Sequence, residues 1–378
     1  MNSFNLQALL RPHILTLTPY SSARDEYTGK EGVFLDANEN ALGSASAEGN
    51  FSRYPDPYQW AIKQKLAPVK GVRLEQIFLG NGSDEPIDLL VRATCRPGVD
   101  SILIMPPTYG MYEVSATIND VDIIKVPLTP DFQLDTTAVL AAITSTTKLI
   151  WLCSPNNPSG NLLRVDAICA ILEAATQALV IVDEAYIDFA ETKSWTSELD
   201  NYPNLIVLQT FSKAWGLAAL RLGMCFASEE LIRVLNKIKP PYNISAPTQS
   251  LALEALDHEA DKNKMVAEIL TERQVLAEKL RSLPFVQVIH PSDANFLLVQ
   301  FDEAKATFEH LIEQQVIVRD RSKVTLCDGC LRITVGTSAE NDRLLAVLRS
   351  MSRTPVASRP DGSILEGMEP RPELVSNA

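Results

Sequence analysis

Short apolar runs alternate with helix-period segments along the first half of this chain, and this alternation constrains the fold more than any other feature. Apolar runs of about four to eight residues that alternate with helices are typical of βαβ units, in which helices cover both faces of a parallel sheet. The sequence therefore predicts an α/β fold on a mostly parallel sheet. The strand-like runs are QIFLG, SILIMPP, KLIWLCSP, ALVIVDEAY and LIVLQTFSK.

The pattern changes after residue 240, where a smaller α+β unit is expected. A charged segment from about Pro247 to Leu283 predicts one long helix, and the runs VQVIH, NFLLVQF and VIVRD predict strands around a helix at 304–315. Asp328 and Gly329 suit a two-residue turn, so KVTLCDGCLRITVG is predicted to be a hairpin. The predicted units are an N-terminal arm at 1–50, a large domain at 51–240, a small domain at 241–352 and a disordered tail at 353–378.

Charge and cysteine content exclude several classes of protein. The net charge is −13, which argues against nucleic acid or anionic membrane as a partner. No apolar run approaches the ~20 residues that span a bilayer, and the start has no secretory pattern. Six cysteines in 378 residues do not suggest a disulfide scaffold, so a cytoplasmic location is expected.

The first polar turn of the predicted sheet is a candidate anion site. Ligands of open α/β sheets collect at the carboxyl ends of the strands, and Gly82, Ser83 and Asp84 occupy such an end at the start of a helix. Backbone N–H groups there can bind one phosphate, whereas Glu85 disfavours a dinucleotide fingerprint. A capped turn without a ligand is the alternative, and this stretch alone leaves both open.

Two polar residues after later strands are also ambiguous when taken singly. Asp183 follows LVIV, and a buried carboxylate needs either a cationic side chain or another cation, such as a protonated ring nitrogen. Asn157, in SPNNPSG, is either a turn residue or a donor to a phenolate oxygen.

Lys213 favours the functional interpretation of these residues. It follows an apolar run, and a lysine desolvated near other cations becomes a neutral nucleophile toward an aldehyde. The alternative is a solvated surface lysine. Arg221 lies within LAALRLGMCF, where burial would require an anionic partner.

Together these groups describe a receptor for a pyridine aldehyde phosphate. Asp183 would pair with the ring nitrogen, Asn157 and Tyr186 would hold the ring oxygen, and Tyr109 would stack on the ring. The phosphate would be bound by Gly82, Ser83, Thr210, Ser212 and Arg221.

The motifs SPNNPSG, DEAY and TFSKAWGLAALRLG, in this order and spacing, resemble the pyridoxal-phosphate aminotransferases of fold type I. The closer resemblance is to the histidinol-phosphate aminotransferase family, and it covers about residues 15 to 350. One departure is Ala219, where that family commonly has glycine. The additional signatures are LTPYSSAR, LDANENALG, RYPDP, GNGSDE, PPTYGMY, VIVRDRSK and LRITVGT.

This resemblance implies an aspartate-aminotransferase-like fold with a seven-stranded-type sheet, pyridoxal 5′-phosphate as cofactor, and a homodimer with active sites between subunits. It implies transamination of L-histidinol phosphate with 2-oxoglutarate in histidine biosynthesis, with Lys213 moving the proton. Tyr54 would reach the cofactor phosphate of the neighbouring subunit, and Asn40 would line the pocket. Arg332 would receive the anionic group of the substrate, while Arg319 and Tyr20 would bind the phosphate of histidinol phosphate. Arg321 lies two residues on and can exchange roles with Arg319.

Three other functions are alternatives to this one. An aromatic aminotransferase and an amino-acid-phosphate decarboxylase would use the same cofactor, and a non-catalytic regulatory domain ranks last because the chain has no basic extension. Cys327 and Cys330 form a C-x-x-C, but no second ligand pair or suitably spaced histidine accompanies them, so no metal site is expected. A cross-strand thiol pair is predicted instead.

Overall fold

The computed structural model of the protein describes residues 4–21, 32–45 and 51–351, so the tail predicted at 353–378 lies outside the described residues. Within these ranges, no helix has both the length and the apolar character needed to cross a membrane. The limits of the predicted domains stay a prediction, but two separate sheets are present as expected.

The larger sheet has seven strands in the order β1-β7-β6-β5-β4-β2-β3. The neighbours from β6 through β3 are parallel, whereas β7 is antiparallel to both β1 and β6. This confirms the predicted mostly parallel α/β fold. The strands are β1 (Ile77–Asn81), β2 (Ser101–Ile104), β3 (Asp122–Lys125), β4 (Thr147–Cys153), β5 (Leu179–Asp183), β6 (Leu205–Thr210) and β7 (Leu222–Phe226).

Helices cover both faces of this sheet, which explains why its strands are almost continuously apolar. In β5, Val180 and Val182 belong to one hydrophobic cluster, and Leu179 and Ile181 belong to the cluster on the opposite face. The helices of this part of the chain are α1 (Leu6–Leu9), α2 (Pro12–Thr16), α3 (Trp60–Lys70), α4 (Asp84–Thr94), α5 (Met111–Ile118), α6 (Thr136–Ala142), α7 (Val165–Ala174) and α8 (Glu229–Ile238).

Strands β3 and β7 were not anticipated from the sequence. Because β7 runs against its neighbours, its first residue lies at the edge where the parallel strands end. Arg221, directly before β7, is thereby placed beside Thr210 at the end of β6. The unanticipated strand thus completes the edge of the sheet on which the candidate residues lie.

The smaller sheet is antiparallel, in the order β10-β11-β9-β8, and it packs against the last three helices. The predicted hairpin is wrong, because residues 323–329 form turns and β11 pairs with β9 and with the short β10. Cys327 and Cys330 are free thiols within one turn, in which the Cys330 N–H donates to the Cys327 carbonyl, so they are not a cross-strand pair. The strands are β8 (Val286–Ile289), β9 (Phe296–Phe301), β10 (Arg319–Asp320) and β11 (Cys330–Thr334).

The single long helix predicted at 247–283 is two helices, α9 (Ala246–Asp257) and α10 (Glu259–Arg281), which are separated at His258. Helix α9 packs on α3 of the larger unit, while α10 packs on β8 and β9 of the smaller sheet. Because of this break, one charged segment packs on both units. The remaining helices are α11 (Ala304–Glu313) and α12 (Ser338–Arg349).

Candidate active site

A pocket at the carboxyl edge of the larger sheet brings together most of the residues selected from the sequence. It lies where β4, β5 and β6 end and where α4 begins, as expected for an open α/β sheet. The residues that line it are Ser83, Asp84, Tyr109, Asn157, Asp183, Tyr186, Thr210, Ser212, Lys213 and Arg221, together with Cys153 and Ala185.

One end of the pocket is a cradle formed by the turn between β1 and α4 and by Arg221. Gly82 has a φ of 71°, and its N–H donates to the Arg221 carbonyl at 2.7 Å. A Cβ on Gly82 would lie 2.7 Å from Arg221 Nη2, so only glycine leaves this space to the guanidinium. The cradle therefore combines a helix N-terminus with an arginine, which suits a phosphate.

The side chain of Arg221 is 49% exposed, so the expectation that it is buried was wrong. Its residue lies at the edge of the sheet rather than inside it, because β7 begins one position later. The guanidinium donates to Asp84 Oδ2 at 3.3 Å and to Ser212 Oγ at 3.4 Å. Asp84 also accepts from the Tyr109 hydroxyl at 3.0 Å. Arg221 is thus held in place while it still faces the pocket.

Asp183, the last residue of β5, also lines the pocket and is 2% exposed. Its carboxylate accepts from the Tyr112 hydroxyl at 2.5 Å and from the Ala185 N–H at 3.2 Å. Burial raises its pKa to about 6. Among the described residues no cation forms an ion pair with Asp183, so the alternative of a structural ion pair is wrong.

Lys213 lines the same pocket. Its Nζ is 5.6 Å from the centroid of the Tyr186 ring, and the residue is exposed. The surrounding protein lowers the pKa of this amine, and the nearby Arg332 and Arg221 lower it further. The neutral amine is therefore more available at neutral pH than on an ordinary surface lysine.

Asn157 connects the pocket to the smaller sheet. Its Oδ1 accepts from Arg332 Nη1 at 2.5 Å, and the residue is 9% exposed. The turn itself is closed by Asn156, whose N–H donates to the Asn161 carbonyl. Because Oδ1 is engaged, the Asn157 amide is oriented with its Nδ2 donors available for another acceptor.

Three arginines lie together in the smaller sheet: Arg319 on β10, Arg332 on the neighbouring β11, and Arg321 directly after β10. Arg319 on β10 is the direct partner of Arg332 on β11, so both side chains leave the same face of the sheet. Arg321 is half-buried, and its Nε has no partner among the described residues. Burial lowers its pKa, as do Arg332 and Arg319.

Six selected residues do not line this pocket in the described part of a single chain: Gly82 in the cradle, Arg319 and Arg332 on the smaller sheet, and Tyr54, Tyr20 and Asn40. Tyr54 stacks on Tyr242 with ring centroids 4.4 Å apart and is 50% exposed. Tyr20 is 75% exposed beside Lys237, and Asn40 Oδ1 accepts from a neighbouring backbone N–H.

Sequence reasoning missed Tyr112 and the pocket residues Cys153 and Ala185. Tyr112 lies in the motif PPTYGMY, three residues after Tyr109 and in the first turn of α5. Nothing in that motif shows that the Tyr112 hydroxyl contacts Asp183.

Comparisons with known proteins match this chain to aminotransferases, in agreement with the chemistry that the pocket residues suggest. A model of the family "Aminotransferase class I and II" matches residues 25–348. A histidinol-phosphate aminotransferase from Cytophaga hutchinsonii is 60% identical over 348 residues, which span 92% of this chain and 99% of that protein. One from Parabacteroides distasonis is 53% identical over 347 residues, with 92% and 99% covered.

A solved structure of a histidinol-phosphate aminotransferase from Sinorhizobium meliloti, in complex with pyridoxal-5′-phosphate, matches with a TM-score of 0.74 at 25% identity. The match covers 90% of this chain and 98% of that one. The chain belongs to the class I and II aminotransferases, and within them to the histidinol-phosphate aminotransferase family.

Proposed function

We propose that this protein transfers the amino group of L-histidinol phosphate to 2-oxoglutarate, giving imidazole-acetol phosphate and L-glutamate, with pyridoxal 5′-phosphate as its cofactor. The observation that carries the proposal is a single pocket that is lined by Lys213, by the buried Asp183 carboxylate and by Ser83 and Arg221 of the phosphate cradle. Identity of 60% over nearly the whole chain with a histidinol-phosphate aminotransferase supports the choice of substrate.

The residues of the pocket fit this cofactor. The buried Asp183 carboxylate has no cationic partner among the described residues, and a protonated pyridine nitrogen would supply one. The oriented Asn157 amide offers its Nδ2 donors to the ring oxygen, and the Gly82–Arg221 cradle accepts one phosphate. Tyr109 and Tyr186 provide aromatic walls between them.

Pyridoxal phosphate, when bound, supplies an electron-accepting ring that makes a proton on the substrate Cα more acidic. Asp183 would hold a proton on the ring nitrogen, Asn157 would orient the ring oxygen, and Arg221 and Ser212 would hold the phosphate. Lys213 would take the Cα proton through Nζ and deliver it to the cofactor carbon that carried the aldehyde, for which a lowered pKa is required.

Both substrates are anionic, and arginines can bind a carboxylate or a phosphate through two parallel hydrogen bonds. We assign Arg332 to the anionic group of 2-oxoglutarate and Arg319 to the phosphate of histidinol phosphate. Their adjacent positions on β10 and β11 support this division.

Replacing Arg319 by glutamine is expected to lower kcat/KM for histidinol phosphate by about 10- to 100-fold, because a charge-assisted contact is lost. The kcat/KM for 2-oxoglutarate is expected to change little. Arg321→Gln is the matched variant, since it removes the same group two residues along the chain. Steady-state kinetics with both substrates distinguishes them, and a larger effect in Arg321→Gln would move the phosphate assignment to Arg321.

The proposed reaction is tested by incubating the purified, cofactor-loaded protein with histidinol phosphate and 2-oxoglutarate. Glutamate is expected to form in equal amount to the keto product. Release of carbon dioxide from an amino-acid phosphate without glutamate would instead indicate a decarboxylase, and preference for phenylalanine would indicate an aromatic aminotransferase.

A homodimer in the cytoplasm is the further part of this proposal. Tyr54 and Tyr20 are exposed and do not line the pocket of their own chain, which suits residues that complete the site of a second copy. All six cysteines are free, as is usual in a reducing compartment.

Mixing inactive Lys213→Ala and Tyr54→Ala chains tests whether two chains share a site. A mixed dimer would contain one pocket with both Lys213 and Tyr54 intact, so activity is expected to return. A monomer in analytical sedimentation would contradict the proposed homodimer.

A further inference from the structure

Tyr112 lies outside the set of residues that line the pocket, yet it contacts the carboxylate on which the proposed chemistry depends. Its hydroxyl donates to Asp183 Oδ2 at 2.5 Å, and its side chain is fully buried. The second oxygen of Asp183 accepts the Ala185 N–H at 3.2 Å. Tyr112 is therefore the only described side chain with a hydrogen bond to this carboxylate.

The Tyr112 ring is fixed by two aromatic neighbours. It stacks on Trp151 with centroids 4.7 Å apart and an interplanar angle of 14°, and it meets Tyr109 edge-on at 5.6 Å. Trp151 lies on β4, next to the strand that carries Asp183. A ring held on two sides brings its hydroxyl to one point, so the direction of the hydrogen bond is determined by packing.

We propose that Tyr112 is a positioning residue, which fixes the Asp183 carboxylate and controls whether it is ionised when the ring nitrogen of the cofactor is bound. This inference rests on the proposed function. A hydrogen bond to the charged form of a carboxylate favours that form. Without the phenol, Asp183 would more often be protonated in its apolar surroundings and could not hold a proton on the ring nitrogen.

The surroundings of Asp183 support this role for the hydroxyl. Burial and the nearby Asp84 raise the pKa of Asp183, whereas the Tyr112 hydroxyl, the Ala185 N–H and Lys213 lower it. The other titratable groups that face Asp183 are Tyr109, Cys153 and Tyr186. Burial and Asp183 raise the pKa of Tyr112 itself, so its hydroxyl stays protonated and acts as a donor.

The cofactor-free protein provides the first test, by thermal unfolding of Tyr112→Phe between pH 5 and pH 8. The pKa of Asp183 is higher in the folded chain than in the unfolded chain, so between these two pKa values the folded state binds more protons. The free energy of unfolding therefore falls as the pH rises, until the pH passes about 6. Loss of the donor raises this pKa further. The deficit in Tm of Tyr112→Phe is therefore expected to be larger at pH 8 than at pH 5.

Two variants separate this effect from loss of packing. Trp151→Phe weakens the stack but keeps the Tyr112 hydroxyl, and its deficit in Tm is expected to be the same at both pH values. In an Asp183→Asn background, Tyr112→Phe is expected to lose its pH dependence. A pH-independent deficit for Tyr112→Phe in the otherwise unchanged chain would overturn the proposal, whether or not the protein acts on histidinol phosphate.

The loaded enzyme provides the second test. In Tyr112→Phe, kcat is expected to fall about tenfold or more with KM nearly unchanged. The acidic limb of the kcat/KM profile is expected to move up by about one pH unit, a tenfold change in proton affinity. An acidic limb that stays in place would contradict the proposal. Absence of transamination in the unchanged enzyme would contradict the proposed function and leave the unfolding result to decide the role of Tyr112.

Discussion

Replacing Lys213 by alanine is expected to lower kcat by about 10⁴-fold or more, because the variant loses the group that moves the Cα proton. No other amine is positioned among the residues that line the pocket. Stopped-flow measurement of a single turnover with histidinol phosphate checks this expectation, since it follows the chemical step rather than product release.

Lys213→Arg is the matched control, because it keeps the positive charge but cannot give up its proton near neutral pH. We expect it to be as inactive as the alanine variant. A small primary amine added to Lys213→Ala is expected to restore part of the rate in proportion to its concentration. Activity of Lys213→Ala within tenfold of the unchanged enzyme would rule out Lys213 as the base.

Replacing Gly223 by alanine is expected to destabilise the fold by about 3 kcal/mol or more and to remove the affinity for phosphate. A Cβ at this position would lie 2.3 Å from both the Gly82 carbonyl carbon and the Ser83 nitrogen. Overpacking against side chains costs about 1–3 kcal/mol, and a clash with backbone cannot be relieved by a rotamer change. Urea unfolding and titration with pyridoxal phosphate measure the two effects.

Gly110→Ala is the control for this substitution. Its Cβ would have no heavy atom within 4 Å, and its φ of −68° suits alanine. We expect its unfolding free energy to stay within about 0.5 kcal/mol of the unchanged protein, as is usual for surface substitutions. Equal stability of Gly223→Ala and Gly110→Ala would show that β7 does not press against the turn after β1.

Much of the site was predictable because the strands of a parallel sheet end on the same edge. Asp183 and Thr210 each end an apolar run, and Lys213 follows three residues after Thr210. The buried strands therefore identified the edge, and the polar residues at their ends identified the pocket. The resemblance to a family added the arginines of the smaller sheet, which no local pattern connects to that edge.

The features that were not predicted depend on tertiary packing. Helices α9 and α10 share one continuous charged pattern, and they separate at His258 because each packs on a different unit. No sequence pattern connects Tyr112 to Asp183, and only the folded chain shows the hydrogen bond between them. Arg221 was assigned to the phosphate but expected to be buried, because the start of β7 could not be located from sequence.

The position of β7 between β1 and β6 also has a consequence for biogenesis. Among the described strands, β1 pairs with β7 alone, with Gly80 opposite Gly223, although the two strands are far apart along the chain. Of these strands, β1 is the first to be synthesised, and it therefore waits for one of the last elements of the large unit. Contacts between such distant segments form late because a long loop must close first. A nascent chain that ends before residue 222 would contain Lys213 and Asp183 but no phosphate cradle.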